Sequence, residues 1–326
     1  MRLAVATKQG VHTVRWIEGE RSGRILASGL ESSNVTCATT IRSAAFAGTR
    51  GGEIYVSDDR GTSWRQLDGF QIDGGVTALA GLPLSGGLLL AGTEPAGIHV
   101  SSDGGESWTR LAGFDELNQE RWRGLGKRAP LIGTIACDSR EPDRFYAGVK
   151  AGGAYRSDDG GASWRAIHDG LNNEIRQLAV DPHDSARIYA ATAGGFYISP
   201  DRGVNWQPAE GEPGERYVTG LLTVAPAGRP GSVVVAMTAA GPPGTWHKGK
   251  GADVKVYRSA DQGASLEEVG VVATRNAFTT AIVNPDNEDA AVVGTSHGSI
   301  YHVDRRDKEW HQVLYGLAPI RSIVPV

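Results

Sequence analysis

Several features that mark common classes of protein are scarce in this sequence. Only two cysteines occur in 326 residues, Cys37 and Cys137, too few for a disulfide framework, and this scarcity favours a reducing compartment. No apolar run approaches the roughly 20 residues that a membrane-spanning helix needs. The opening stretch MRLAVATKQG has too few apolar residues for a signal-peptide core. We therefore expect a cytoplasmic protein without a membrane partner.

A strong charge of one sign is also missing. The chain has 33 Lys and Arg against 37 Asp and Glu, a formal net charge of −4, so nothing in its overall charge predicts a nucleic-acid partner. Its eight histidines show no metal-ligand spacing. The glycine-rich stretch GLPLSGG (81–87) is not followed by a helical pattern, as a phosphate-binding loop would be. The sequence predicts neither a metal nor a cofactor.

What the sequence has in abundance is glycine, with 45 residues, together with a repeated octapeptide. The octapeptide reads SDDRGTSW (57–64), SSDGGESW (101–108), SDDGGASW (157–164), SPDRGVNW (199–206) and, less completely, SADQGASL (259–266). Two kinds of segment with alternating apolar residues precede the octapeptide, and each kind occurs seven times along the chain. Each unit of about 45 residues therefore reads as four short antiparallel strands, A to D, with the octapeptide between strands C and D.

These repeats predict an all-β fold, a seven-bladed β-propeller. The chain starts with a strand B, RLAVAT, and ends just after a strand A, IRSIVPV (320–326). The last strand is therefore expected to complete the first blade, formed by residues 2–30 plus 320–326, and to close the ring. One domain covers 1–326, and we expect a monomer. A β-helix is the alternative, but its repeats are shorter and would need no split unit.

The octapeptide is interpreted as a structural turn. Its third residue accepts backbone N–H groups across the turn, and glycine at the fifth supplies a positive φ. These third residues are Asp59, Asp103, Asp159, Asp201 and Asp261. A calcium loop would need a glutamate at its twelfth position, and that glutamate is absent. A catalytic role is disfavoured because one active site does not need five dispersed copies.

The pattern S-x-D-x-G-x-x-W resembles the Asp-box, or BNR, repeat, with four full matches and a partial fifth. Families with this repeat include sialidases, xyloglucan-cleaving hydrolases, sortilin-type receptor domains and the photosystem II assembly factor. Because these families share the repeat and not an activity, the resemblance implies a propeller fold and leaves the chemistry open.

Two long loops are candidates for binding, because both fall on the face opposite the octapeptides. They are the D–A connection 113–130 and the B–C insertion 239–255. Each has a tryptophan beside basic residues, a combination that suits sugars, anionic groups or an acidic protein. These candidates are Arg121, Trp122, Arg123, Lys127 and Arg128 in the first loop, and Trp246, His247 and Lys248 in the second. The alternative is that each tryptophan packs onto its blade.

Four arginines near the starts of A strands are further candidates: Arg176, Arg216, Arg275 and Arg321. If they occupy equivalent positions, they form a positive funnel at the central channel for a carboxylate or phosphate. The alternative is local pairing, since Glu174 and Glu215 lie within two residues of Arg176 and Arg216.

Two functions are compatible with these observations. The first is a non-catalytic binding or scaffolding propeller that presents its loop face to a protein partner or an anionic or glycan ligand. The alternative is a glycoside hydrolase, sialidase-like or otherwise glycan-cleaving, with acidic residues at the channel mouth. The Arg-Ile-Pro signature of sialidases is missing from the N-terminal stretch. Paired carboxylates, one with a raised pKa, would favour the enzyme.

Overall fold

The predicted propeller is confirmed: seven four-stranded antiparallel sheets form a ring. The computed structural model describes the chain except residues 18–19, 21, 84–86, 118, 121, 123–128, 212–215, 225–232, 242–251, 272–278, 284–289 and 305–309. In each blade, the four strands pair in chain order from the innermost strand A to the outermost strand D, and blade 1 takes its strand A from the end of the chain.

Blade 1 consists of β28 (Ile320–Pro325), β1 (Arg2–Thr7), β2 (Gly10–Arg15) and β3 (Arg24–Gly29). Blade 2 has β4 (Val35–Ile41), β5 (Ala44–Thr49), β6 (Glu53–Ser57) and β7 (Arg65–Gln71); blade 3 has β8 (Gly75–Leu82), β9 (Leu88–Glu94), β10 (Ile98–Ser101) and β11 (Thr109–Arg110), followed by α1 (Ala112–Asp115). Blade 4 has β12 (Ile132–Cys137), β13 (Phe145–Val149), β14 (Gly153–Ser157) and β15 (Arg165–Ala166); blade 5 has β16 (Ile175–Val180), β17 (Ile188–Thr192), β18 (Gly195–Ser199) and β19 (Gln207–Pro208). Blade 6 has β20 (Tyr217–Val224), β21 (Val233–Ala239), β22 (Lys255–Ser259) and β23 (Glu267–Val271); blade 7 has β24 (Thr279–Val283), β25 (Ala290–Thr295), β26 (Ile300–Asp304) and β27 (Trp310–Leu314).

The ring closes as the sequence predicts. β28 pairs antiparallel with β1, from Leu3 opposite Pro325 to Thr7 opposite Ile320. Ile320 and Ile323 are buried in a cluster shared with blade 7, which includes Val292 and Ile300. The last strand therefore removes an exposed sheet edge and fills the space between the first and last blades.

The core lies between neighbouring blades. Strands B are buried on both faces, as in Phe145–Val149, all five of whose residues are buried. This burial explains why these strands read as continuous small and apolar residues instead of an alternating pattern. Each fully buried large aliphatic side chain contributes about 1.5–3 kcal/mol to the stability of the folded state.

The octapeptide forms the predicted turn between strands C and D. In the copy at 157–164, the Ser157 hydroxyl donates to Asp159 Oδ1 at 2.8 Å, and the Ser163 amide donates to the same oxygen at 2.9 Å. The Ser163 hydroxyl donates to Asp159 Oδ2 at 2.6 Å, and the Gly161 amide donates to Ser157 Oγ at 2.8 Å. The serine-to-aspartate bond is present in all five copies.

The backbone of the turn explains its fifth residue. Gly61 and Gly161 have φ values of 78° and 91°, in the left-handed region. A Cβ on Gly161 would lie 2.4 Å from Leu111 Cδ1. Glycine is therefore required both for the conformation and for the close contact with the preceding blade.

Within the part of the chain that the structure describes, no helix is long and apolar enough to cross a membrane.

Candidate functional site at the channel mouth

Strands A begin, and strands B end, on the face of the ring opposite the octapeptide turns. The residue that follows the last buried position of strand B therefore lies on this face in every blade. From blade 1 to blade 7 these residues are Lys8, Arg50, Glu94, Lys150, Ala193, Ala240 and Ser296. Charged residues are thus confined to blades 1 to 4 at this position.

A cavity of about 500 Å³ lies along the central axis, where the A strands face one another. Its described lining includes polar side chains from six blades: Thr36, Thr77, Thr134, Gln177, Thr219 and Ser322. Arg176 and Arg321 belong to the same lining. The cavity is large enough for a small ligand or a few residues of a peptide.

Every blade has a β-bulge near the start of strand A, where one residue has no partner in strand B. In blade 2, for example, Val35 lies opposite Thr49 and Cys37 opposite Gly48, which leaves Thr36 unpaired. From blade 1 to blade 7 the bulge residues are Arg321, Thr36, Thr77, Gly133, Arg176, Thr219 and Thr280. Because a bulge changes the direction of its side chain, this ring of positions defines the channel mouth.

Two of the bulge threonines, Thr36 and Thr77, connect neighbouring blades. Thr77 Oγ1 donates to the carbonyl oxygen of Gly92 at 3.2 Å and to that of Ile132, in blade 4, at 2.6 Å. Thr36 Oγ1 donates to the carbonyl oxygens of Gly48 and of Val76, in blade 3. These two threonines are therefore structural, because their bonds join blade 2 to blade 3 and blade 3 to blade 4.

Arg176 replaces such a threonine in blade 5. Its Nη1 lies 3.2 Å from Glu174 Oε1, and its guanidinium carbon lies 4.8 Å from the centre of the Tyr217 ring. The Tyr217 hydroxyl donates to the same glutamate oxygen at 3.2 Å. Burial raises the pKa of Tyr217 to about 12, so this hydroxyl stays protonated at neutral pH. The predicted local pairing of Arg176 with Glu174 is confirmed.

Arg321 occupies the equivalent position in blade 1 and lacks such a partner. Among the described residues, no carboxylate oxygen lies within 4.0 Å of its guanidinium nitrogens. Burial, followed by the charge of Arg50, lowers the pKa of Arg321. Arg50 itself is paired with Glu94, at 3.5 Å between Nη2 and Oε2. The described residues thus leave the charge of Arg321 without a direct ion pair.

Lys150 is a third cation, on which the charges of these two arginines act. It follows strand B of blade 4, and its side chain is half-buried. Burial is the main cause that lowers its pKa to about 8, and Arg176 and Arg321 lower it further, against the opposing charges of Glu174 and Glu94. Sequence reasoning missed Lys150, because the charges that act on it belong to residues distant in the sequence.

The predicted equivalence of the four arginines is wrong for Arg216. The bulge residue of its strand is Thr219, three positions later. Arg216 precedes the strand, and its Nη2 lies 3.2 Å from Asp253 Oδ2. Arg275 lies outside the described residues. Of the four arginines, Arg176 and Arg321 share the bulge position. A bulge adds one unpaired residue to its strand, and sequence spacing alone does not show where that residue lies.

Trp122 does not lie on an exposed rim, so the prediction of a ligand-facing tryptophan is wrong at this position. Its side chain is buried, its Nε1 donates to the Tyr155 hydroxyl at 2.6 Å, and its ring centre lies 5.5 Å from that of Phe114. The ring packs against apolar side chains of blade 4, as expected from the alternative that each tryptophan packs onto its blade. Seven other loop candidates lie outside the described residues: Arg121, Arg123, Lys127, Arg128, Trp246, His247 and Lys248.

Carboxyl groups with a shifted pKa lie away from the mouth. In the described part of the chain, these groups are the five octapeptide aspartates, and hydrogen bonds from serine hydroxyls and backbone amides lower the pKa of each. A general acid would need a raised pKa instead. The described residues also contain no group of three or more His, Cys, Asp or Glu side chains placed to hold a metal ion.

Comparison with known proteins gives structural neighbours and no family, since no family model matches the chain. The GH74 enzyme of Niastella koreensis is 17% identical with a TM-score of 0.64, and the alignment covers 86% of this chain and 45% of that one. The GH74 xyloglucanase of Xanthomonas campestris is also 17% identical, with a TM-score of 0.63, and the alignment covers 86% of this chain and 45% of that one. This chain thus spans less than half the length of these enzymes.

A third structure is closer in size. YCF48 bound to a D1 peptide is 13% identical with a TM-score of 0.57, and the alignment covers 95% of this chain and 88% of that one. At these identities the likeness concerns the fold alone. The chain is therefore a seven-bladed β-propeller whose structural neighbours include GH74 enzymes and YCF48.

Proposed function

We propose that the chain is a non-catalytic binding propeller whose channel mouth captures an anionic segment of a protein partner. The observation that carries this proposal is that two arginines, Arg176 and Arg321, line a central cavity of about 500 Å³. A cation in a cleft with low-dielectric walls interacts with an anion more strongly than one surrounded by bulk water does.

The pairing pattern favours binding over a purely structural role. Arg176 is held in place by Glu174 and Tyr217, so its guanidinium is preorganised. Arg321 has no carboxylate partner within 4.0 Å among the described residues. A carboxylate that enters the mouth would therefore gain a charge-assisted bond without first displacing an internal one.

The size of the chain and the YCF48 neighbour support a protein partner. That neighbour has a peptide bound, and the alignment spans most of both chains. An acidic peptide suits this mouth because its carboxylates can pair with the arginines, whereas the other polar side chains of the cavity lining are neutral.

Binding is tested with fluorescent decapeptides that differ only in charge, one rich in Asp and Glu and one with Asn and Gln instead. We expect the acidic peptide to bind, with an affinity that falls between 50 and 300 mM salt because screening weakens ion pairs. Arg321→Gln should weaken binding about tenfold, equivalent to about 1.4 kcal/mol. Fluorescence anisotropy measures both effects.

Arg24→Gln is the matched control, because Arg24 lies on β3, the outermost strand of the same blade, and is exposed. It should bind the acidic peptide as the unmodified protein does. Equal affinity for the two peptides, or equal losses in the Arg24 and Arg321 variants, would contradict a site at the channel mouth.

A glycan-cleaving activity is the second candidate, and the GH74 neighbours favour it. It requires two carboxyl groups about 5–10 Å apart that flank the bond. Glu94 and Glu174, described carboxylates near the mouth, are paired with Arg50 and Arg176. Release of reducing sugar from xyloglucan or related polysaccharides that Glu94→Gln or Glu174→Gln abolishes would establish this function in place of the first.

A further inference from the structure

The wall of the central channel changes character from the mouth inwards. Strands A form this wall, and their bulge residues, which include Arg176 and Arg321, lie at the mouth. The second residue after the bulge is apolar in every blade. Among the described residues, those of this second layer that line the cavity are Ala38, Leu79, Ile135, Leu178 and Ile323. A charged mouth is therefore followed by an apolar layer.

Part of this apolar wall is exposed to the cavity. Ala38 and Leu79 are half-buried and line it, and so do Leu222 and Val324, which lie three residues after their bulges. Three residues of a strand span roughly 10 Å. Apolar side chains that face a cavity gain free energy when an apolar guest replaces the water beside them.

The polar side chains of the wall already bond to backbone groups of the protein. The Thr134 hydroxyl accepts the Leu178 amide of the next blade at 3.3 Å, and Gln177 Oε1 accepts the Leu221 amide at 3.0 Å. The bulge threonines of blades 2 and 3 use their hydroxyl groups in the same way. The described wall thus offers a ligand mainly two kinds of group, the guanidiniums at the mouth and the apolar side chains farther in.

Arg321 connects these two parts of the channel. It directly precedes Ser322–Pro325 on β28, and all four of those residues line the cavity. No carboxylate oxygen of the described residues lies within 4.0 Å of its guanidinium nitrogens. An acid group can therefore accept hydrogen bonds from Arg321 while a chain attached to it extends along the same strand towards Val324.

We propose that the channel binds an unbranched aliphatic carboxylate of medium length, with its acid group at Arg176 and Arg321 and its methylene chain among the apolar side chains. Because the same two arginines hold the acid group, this assignment rests on the proposed function. It adds a class of small ligand and makes that ligand a competitor of the acidic peptide.

The apolar part of the wall sets the length of the ligand. The distance of roughly 10 Å between the mouth and the deepest of these side chains matches an extended chain of about eight carbons, because a C–C bond is about 1.5 Å long. Octanoate has this length, and the cavity of about 500 Å³ has room for it.

Isothermal titration calorimetry of the full chain with sodium octanoate tests the proposal. Affinity should rise about fourfold for each methylene added between butanoate and octanoate, since each one leaves water. Octanol lacks the charge and octylammonium has the opposite charge, so each should bind at least tenfold more weakly than octanoate. An affinity independent of chain length, or equal binding of octanol and octanoate, would overturn the proposal.

Variants at the two ends of the ligand locate it in the channel. Arg321→Gln should weaken octanoate binding about tenfold and leave octanol binding unchanged. Val324→Thr keeps the shape of the side chain, so the fold should persist, and it should weaken octanoate binding severalfold without affecting the acidic decapeptide. Octanoate binding that neither variant changes would contradict the assigned place.

Leu79→Asn and Leu26→Asn form a matched pair. Leu79 lines the cavity, whereas Leu26 is 46% exposed on β3, the outermost strand of blade 1. The first substitution should weaken octanoate binding severalfold and the second should leave it unchanged. Equal losses in the two variants would overturn the contact with the channel wall.

Displacement of the fluorescent acidic decapeptide separates this proposal from the proposed function. Octanoate should release the bound peptide with an inhibition constant equal to its own Kd. Peptide binding without octanoate binding, or octanoate binding that leaves the peptide bound, overturns the aliphatic ligand alone. Octanoate binding that depends on Arg321, without peptide binding, supports the aliphatic ligand and overturns the peptide-binding function. Failure of both ligands overturns the anion site as well.

Discussion

At the scale of single residues, the aspartates of the octapeptide turns show how a local pattern becomes a fixed structure. Asp59 accepts hydrogen bonds from Ser57, Thr62 and Ser63, and its two carboxylate oxygens share them. These bonds need the charged carboxylate, and they lower the pKa of Asp59 and of Asp159 to about 2. The motif is thus a clamp that depends on ionisation.

We expect Asp159→Ala to lower the free energy of unfolding by about 1–2 kcal/mol at pH 7, because the Ser157 and Ser163 donors lose their acceptor. The folded-state pKa lies below the unfolded value of 3.8, so the carboxylate stabilises the fold above about pH 4. This contribution disappears as the pH falls towards 2. Urea unfolding of both proteins from pH 2 to 7 measures the difference, which should shrink below pH 4.

Asp169→Ala is the control, because Asp169 is an exposed aspartate just after strand D of the same blade. It should leave the free energy of unfolding nearly unchanged. An Asp159 variant that keeps its stability but loses peptide binding would contradict the structural role of the turn.

At the scale of elements, the packing of α1 and Trp122 shows where the sequence-based prediction of an exposed binding loop fails. A tryptophan among arginines and lysines suggests an exposed binding loop, yet Trp122 packs between Phe114 and Tyr155 of a buried aromatic cluster. The charged residues next to Trp122 in the sequence do not reveal this packing, because the burial of a large aromatic ring is favourable enough to decide where that ring lies.

We expect Trp122→Ala to lower the free energy of unfolding by about 3–5 kcal/mol, since it leaves a cavity in this cluster. Trp122→Phe keeps most of the ring and loses the hydrogen bond to Tyr155, for a smaller loss of about 1 kcal/mol. Thermal unfolding measures both. Val204→Ala serves as the control, because Val204 is 62% exposed, and it should leave the free energy of unfolding nearly unchanged. If Trp122→Ala also left the free energy of unfolding unchanged, the packing of Trp122 would not stabilise the blade.

The sequence predicts local features well and relations between blades less well. Octapeptides, strand order and ring closure follow from spacing within one repeat, and Asp159 and Ile320 have the predicted roles. The bulges depend on how two strands pair, which the sequence does not show. The sequence therefore predicts that Arg176 and Arg321 are equivalent without giving the reason, and it wrongly includes Arg216. Lys150 escaped notice because the charges that act on it belong to residues distant in the sequence.

At the scale of the whole molecule, stability and the candidate site meet in the closing strand. β28 supplies Ile320 and Ile323 to the interface with blade 7 and also carries Arg321 at the mouth. A loss of closure should therefore remove both a large apolar contact and one of the two bulge arginines.

We expect a chain that ends at residue 319 to unfold about 10 °C lower than the full chain, because two buried isoleucines and the ladder to β1 contribute several kcal/mol. Adding the peptide IRSIVPV should restore part of this loss by pairing with β1, and a scrambled peptide of the same composition should not. Differential scanning calorimetry measures the shift. A truncated chain as stable as the full one would show that the ring does not depend on β28.

The bulges make the channel mouth comparable to a macrocyclic host molecule, a ring whose substituents can vary while its frame stays the same. Each bulge residue is a substituent that can be exchanged without breaking a backbone hydrogen bond of its sheet. From blade 1 the substituents read Arg, Thr, Thr, Gly, Arg, Thr, Thr, a triplet that occurs twice with Gly133 between the copies. The channel mouth thus has a near-twofold chemical pattern on a sevenfold frame.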